Sequence, residues 1–326
     1  MPPSSTRPSA VRLAAAVHRS PRTPVPWPPR RPWTPSQPRP KAIQNRGSKT
    51  GTDRLLTAPS SGDGSGCLLA CMTVDIRVIR AGQMYRYCLR ETVVGDGRRP
   101  ACTPLREAQE QAGVPAGRWM GRGLTVLGLT PGEEVTEAQL RNLERGRHPY
   151  ADRIEADLLA KGASPKKAFK AGALGRRVTV TGVEFVLRPQ PTIYLLWALG
   201  DEETRRVIEA AHERAIERVL AWIEDEVAVI RYGKDGIYRV RPAGGLVAAR
   251  FRHYEARSGR PLLHDHLLLS VKGQRLDGKW GSIHTTVLHE NTAAASALYN
   301  EIVAAEVCEA LGLATEPRIV TPGAGP

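Results

Sequence analysis

Three of the chain's eight histidines lie in one stretch, residues 247–270, VAARFRHYEARSGRPLLHDHLLLS. His264 and His266 are two residues apart, so on a strand their side chains leave the same face. The segment before them alternates, with Val247, Ala249, Phe251 and His253 on one side and Ala248, Arg250 and Arg252 on the other. That period belongs to a half-buried strand. Ser258, Gly259 and Pro261 supply a turn between the two segments. An antiparallel hairpin of this kind brings His253 towards the His264/His266 pair. Three convergent imidazoles have the composition of a metal site with an open position. A His-x-His pair on a strand also fits a solvated or hydrogen-bonded pair, and the spacing alone leaves both readings standing.

The elements that must position this hairpin lie on both sides of it. Residues 73–79 (TVDIRVI) and 177–187 (RVTVTGVEFVL) alternate as strands, the second carrying Glu184. Residues 81–94 read as a helix bearing Tyr85 and Tyr87, ended by Gly95-Asp96-Gly97. Residues 104–112 and 136–143 read as short helices, the latter with Thr136 as its cap. Residues 116–121 read as a loop with one large aromatic, and 192–199 as an apolar segment. A long amphipathic helix is expected over 201–227. In it His212, among Ile208, Ala211 and Ala215, reads as a structural histidine. After the hairpin, Asp277-Gly278 turns the chain, and a last helix over 285–311 is stopped by Gly312. The expected fold is α/β: a central, mainly antiparallel sheet flanked by helices.

Composition divides the chain of 326 residues. Residues 1–71 hold 13 of its 26 prolines, with 11 of its 47 Lys and Arg but 2 of its 33 Asp and Glu. Such a segment buries too little apolar surface to offset its ordering entropy, so 1–71 is expected to be a disordered basic tail. Met72, which opens the first patterned segment, is a candidate for the true start. Most of the formal net charge of +14 is therefore a tail property. The folded part is only mildly basic, which permits a nucleic-acid groove without demanding one. Cys67, Cys71, Cys88, Cys102 and Cys308 show neither zinc-ribbon nor secreted-framework spacing, pointing to a reducing compartment. No apolar run reaches the ~20 residues that span a bilayer. The expectation is a soluble cytoplasmic protein.

The order of these features resembles one family. Tyrosines follow the first strand, a strand carboxylate comes in mid-chain, and then a histidine, ten intervening residues and His-x-His. With RAGQMYRYCLRETVVGDG, PAGRWMGRGL, VTVTGVEF, LLWALGDEETRRVIEAAHERAIERVLAWIE, FRHYEARSGRPLLHDHLLLSVKGQRLDGKW and ALYNEIVAAEVCEALGL, the chain is similar to TrwC/TraI-type (MobF) conjugative relaxases of the HUH endonuclease class. The resemblance covers nearly everything from Met72 onward. It implies a relaxase-like domain over 72–326 with His253, His264 and His266 as ligands of a divalent metal ion, Mg²⁺ or Mn²⁺. It implies Glu184 as the carboxylate that holds one of those imidazoles, and Tyr85 or Tyr87 as nucleophile. On a helix those two tyrosines stand about 200° apart, so only one faces the site.

The implied activity is site- and strand-specific nicking of single-stranded DNA at a transfer origin, with a hairpin as partner and a 5′-phosphotyrosyl intermediate. It would serve plasmid or integrative-element transfer, with transfer accessory proteins as further partners. Arg118, Trp119, Arg122, Arg250, Arg252 and Trp280 are the candidate DNA contacts. The chain departs from the family pattern in three places. Residues 106–111 (REAQEQ) lack the second tyrosine pair, LRPQPT lacks a lysine, and the chain stops at Pro326, so a truncated domain is expected. These departures define the alternative, a catalytically impaired DNA-binding protein of relaxase descent. A third reading is an unrelated metallohydrolase acting through a metal-bound hydroxide.

Overall fold

The computed structural model describes residues 72–80, 103–256 and 258–315. The expected tyrosine helix over 81–94 and the expected tail lie outside the described residues. The first strand, β1 (Val74–Arg80), is followed by α1 (Leu105–Ala112), β2 (Arg118–Met120), a 3₁₀ turn (Arg122–Leu127) and α2 (Glu137–Leu143). Then come α3 (Ala151–Ala160), α4 (Pro165–Ala171), β3 (Val180–Leu187), α5 (Pro191–Leu199) and α6 (Glu202–Trp222), which runs into a π turn (Ile223–Val227). The C-terminal part holds β4 (Ile230–Tyr232), β5 (Tyr238–Val240), β6 (Ala248–Glu255), β7 (Pro261–Ser270), β8 (Lys272–Gln274), β9 (Trp280–Ser282), α7 (Thr285–Glu290) and α8 (Thr292–Leu311).

Five strands form one sheet in the order β1-β3-β7-β6-β2, every pairing antiparallel. β4 with β5 and β8 with β9 form two small ribbons. The period of two decides what each face buries. Val183 and Phe185 of β3, Leu263, Leu267 and Leu269 of β7 and Ala248 of β6 pack under α6 and α8. α6 meets them with Ile208, Ala211, Ala215, Ile216 and Val219, one stripe at helical spacing, and α8 with Ala295, Tyr299, Val303 and Val307. The other face sets Ile79, Ala249, Phe251 and Leu268 against Trp119, Leu124, Leu127, Leu140 and Leu143. The histidines continue this second face towards the β6–β7 turn.

Several expected elements form as anticipated. Thr136 caps α2 in a reciprocal box with Gln139, Asp201 caps α6 at Thr204 N, and Gly312 ends α8 with φ 65°. Others differ for identifiable reasons. Residues 118–120, expected as loop, form β2, because its backbone pairs with β6 on one edge while Trp119 and the 132–133 backbone exchange hydrogen bonds on the other. The helix expected over 201–227 changes to a π turn at Ile223, where the Glu224 carboxylate accepts Arg122 N and Leu246 N, both at 2.8 Å. The last helix breaks at Asn291, whose side-chain amide donates to Val287 O at 2.9 Å. The apolar segment over 192–199 is helix α5. α3 and α4 were not anticipated; among their seventeen residues Ala151 and Ala168 alone are fully buried, so they carry almost no apolar period. Among the described residues no helix is long and apolar enough to cross a membrane.

Candidate metal centre

His253 stands directly opposite His264 in the β6–β7 ladder, and His266 opposite Phe251. All three imidazoles rise from one face. Their ring centroids lie 5.1 Å (His253–His264), 4.7 Å (His253–His266) and 5.1 Å (His264–His266) apart. One nitrogen from each falls within 4.8 Å of the others.

Two of the rings have their tautomer set by what they touch. His264 Nδ1 lies 3.0 Å from the Leu262 carbonyl, and His266 Nδ1 lies 2.7 Å from Glu184 Oε1. A carbonyl or carboxylate oxygen only accepts, so in both rings Nδ1 is the donor. Burial first, and the neighbouring His266 second, push the His264 imidazole down to about 4. It is therefore neutral around pH 7, as a ligand must be. Three imidazoles converging on one point, with a carboxylate behind one of them, fit a divalent cation and leave coordination positions open.

Glu184 comes from β3, the strand on the other side of β7, where it faces Leu268. It is buried and reaches His266. A further carboxylate lies close by. Glu144, at the C-terminal cap of α2, is buried, and its Oε2 has no hydrogen-bond partner among the described residues. Its Oε1 lies over Gly182, where a Cβ would come within 3.3 Å of it. Burial, with Glu184 as second cause, raises Glu144 to about 8. It was missed in the sequence because an acidic residue at the end of a short helix looks like any solvated one.

The expected DNA contacts divide. Trp119 is 0 % exposed, its indole N–H donating to Gln139 Oε1 at 3.3 Å. Arg252 is 8 % exposed and held by Asp265. Both are withdrawn from DNA contact, since core packing and a buried ion pair occupy them. Arg250 is largely buried against Glu213, at 2.7 Å, on the helix-covered face rather than the histidine face. Arg122 is half exposed but clamped by Glu224 (2.8 Å) and Asp225 (2.5 Å). The Gly-Arg-Gly around it is structural: Gly121 has φ 99° and a Cβ there would stand 2.3 Å from Leu246 O. Arg118 is exposed, donating to Gly132 O at 3.1 Å, and Trp280 is half-buried on β9.

A groove of about 540 Å³ between β2 and α6 takes in Arg118, Arg122 and Arg250 but none of the three histidines. An aromatic cluster that sequence reading missed lies on the ribbons, with a half-buried arginine ion-paired to Asp277 beside it. Tyr232 and Tyr238 stack at 5.2 Å, and the Arg275 guanidinium sits 4.2 Å over Tyr232. Tyr85 and Tyr87 lie outside the described residues.

Comparison with known proteins follows the same lines. Residues 81–324, about three quarters of the chain, match the model of the TrwC relaxase family. A metal-bound structure of the conjugative relaxase TrwC in complex with oriT DNA is similar, with 23% identity over 73% of this chain and 70% of that one and a TM-score of 0.52. A copper-bound structure of the same complex gives 24% identity, 73% and 71% coverage and a TM-score of 0.51. TrwC complexed with a 27-mer DNA comprising the recognition hairpin and the cleavage site gives 23% identity, 76% and 72% coverage and a TM-score of 0.51. Among curated protein sequences nothing matches. The family model spans the strand of Glu184 and the whole histidine hairpin, and the sheet that carries them has the same fold as those relaxases: this chain belongs to the TrwC relaxase family.

Proposed function

We propose that the chain is a metal-dependent, strand-specific nickase and transesterase of single-stranded DNA, acting in the cytoplasm on a transfer origin with a hairpin. The observation that carries this reading is the three-imidazole cluster backed by the Glu184–His266 contact of 2.7 Å. His253, His264 and His266 would hold a divalent cation, which supplies Lewis-acid polarisation of a scissile phosphate. Mg²⁺ and Mn²⁺ are the ions proposed. Of the two, the all-imidazole donor set favours Mn²⁺, since Mg²⁺ prefers oxygen.

The chain's own groups do the rest. Glu184 keeps the His266 proton on Nδ1, so that Nε2 faces the cluster. Tyr85 or Tyr87 is the nucleophile. Its phenol gives up its proton to solvent, its oxygen forms a bond to phosphorus as the P–O3′ bond breaks, and the departing 3′ oxygen takes up a proton in return, so that no net proton is consumed. The product is a 5′-phosphotyrosyl link that conserves the phosphodiester energy for rejoining. Unpaired bases would stack on the exposed Tyr238, with Arg118 and Trp280 beside the strand. Transfer accessory proteins belong to the same reading.

The test is to incubate the full chain with a pool of hairpin-bearing single-stranded oligonucleotides and Mn²⁺, then look for an SDS-stable adduct on the 5′ product. Tyr85→Phe and Tyr87→Phe, singly and together, locate the nucleophile. Loss of the adduct in the double variant is expected. Cleavage that survives in the double variant without any adduct would replace this reading by a hydrolytic one. Hairpin binding without cleavage by the unaltered chain would make it a DNA-binding protein only.

A further inference from the structure

The two strands that carry the histidines are joined by a charged rung on their other face. Arg252 and Asp265 are register partners, one rung before His253 and His264. Asp265 is 0 % exposed. Its Oδ1 lies 2.9 Å from Arg252 Nε and 3.1 Å from His212 Nε2, and its Oδ2 lies 3.2 Å from Arg252 Nη2 and 3.6 Å from Arg250 Nε. His212 in turn meets the Tyr299 hydroxyl at 2.5 Å through Nδ1. The carboxylate is thus enclosed by groups from β6, α6 and, through His212, α8.

Apolar patterning cannot by itself choose the pairing of β6 with β7. A one-residue slip would turn every side chain to the wrong face and is excluded by alternation. A two-residue slip keeps the faces. On the helix-covered face it would exchange Leu263, Leu267 and Leu269 among similar environments. One such slip puts His253 opposite Leu262 and separates the cluster, and the other puts it opposite His266 and moves His264 to the diagonal. Both would set the buried Arg252 guanidinium against a leucine, Leu263 or Leu267, and take Asp265 from it, to stand opposite Arg250 in the first slip and Tyr254 in the second; a buried guanidinium that loses its carboxylate rung is costly. The regular ladder also ends here: pairing shifts between His253 and Glu255, so the histidine rung is its last regular one. The charged rung is the last buried clamp before that irregularity.

We propose that the Arg252–Asp265 rung is the register lock of the metal centre, holding β6 and β7 in the one pairing that sets His253 opposite His264. The inference rests on the metal-binding reading above and assigns both residues a positioning role. Neither touches the cluster.

The experiment uses the full chain with Arg252→Met/Asp265→Leu, which replaces the ion pair by apolar groups, and Asp265→Asn, which removes only the charge. Apolar replacement of a buried ion pair commonly leaves the fold intact. Arg250 keeps Glu213 and His212 keeps Tyr299. Co²⁺ titration followed by the visible ligand-field band, and hydrogen exchange in peptides covering 248–270, are the readouts. The folded double variant is expected to bind Co²⁺ at least about tenfold more weakly, with an altered band and reduced amide protection in β6. Asp265→Asn is expected to fall between it and the unaltered chain, and carries the test if the double variant does not fold. A folded variant with unchanged affinity and band overturns the proposal. So does weakened binding with unchanged amide protection, because register is then intact. If the unaltered chain binds no Co²⁺ the metal centre itself fails, which is distinct from a failure of the lock alone.

Discussion

Glu144→Gln is expected to flatten the pH dependence of stability between pH 4.5 and about 8. In the folded chain this carboxyl is raised from its ordinary 4.5 to about 8, by burial first and by Glu184 second. Within that window the folded state keeps a proton that the unfolded state has lost. The unfolded state binds fewer protons, so stability falls as pH rises. The contribution is complete below pH 4.5 and is lost by the time pH passes about 8. At about 1.4 kcal/mol per decade, the interval amounts to an upper bound of roughly 5 kcal/mol. Glutamine has the shape of the protonated acid and does not titrate, so it removes that slope. Urea unfolding of both proteins at intervals from about pH 5 to about pH 8.5 measures it. The stability difference should grow in favour of Glu144→Gln with rising pH by several kcal/mol. Parallel curves would mean that Glu144 is hydrated or ion-paired and that its burial exerts no such effect. The same logic keeps the Glu144 carboxyl protonated near neutral pH.

Two further outcomes test the assignments around the site. Glu184→Ala removes the acceptor of His266 Nδ1 and should weaken Mn²⁺ or Co²⁺ binding about 10- to 100-fold by calorimetry, because the ring loses its fixed tautomer and orientation. Trp119→Ala empties a fully buried site and should cost about 3–5 kcal/mol in chemical unfolding, while DNA affinity per folded molecule, measured by fluorescence anisotropy, stays as it was.

Much of the architecture can be read along the chain because periodicity is a local property. The alternation in β1, β3, β6 and β7 and the 3.6-residue stripe of α6 each report which side faces a core. Thr136, Asp201 and Gly312 mark their helix ends with side chains or backbone freedom that act within one turn. β2 was not legible, since three residues take strand geometry only because β6 and the 132–133 backbone lie on either side. The π turn at Ile223–Val227 was equally hidden, because Glu224 is drawn to amides at positions 122 and 246. α3 and α4 are nearly all exposed, so no buried stripe announces them.

The metal cluster divides in the same way. Sequence alone determined that His264 and His266 share a face and that His253 comes from the strand before them, since two-residue spacing and a turn suffice for that. It also supplied the family resemblance. Tertiary structure decided which imidazole Glu184 meets, that Glu144 is buried beside it, and that Trp119 and Arg252 belong to the interior. Those facts depend on which elements come to lie across the sheet from one another. Charge and aromaticity along the chain are the same for a residue facing water and for one facing a buried carboxylate; only the packed fold distinguishes them.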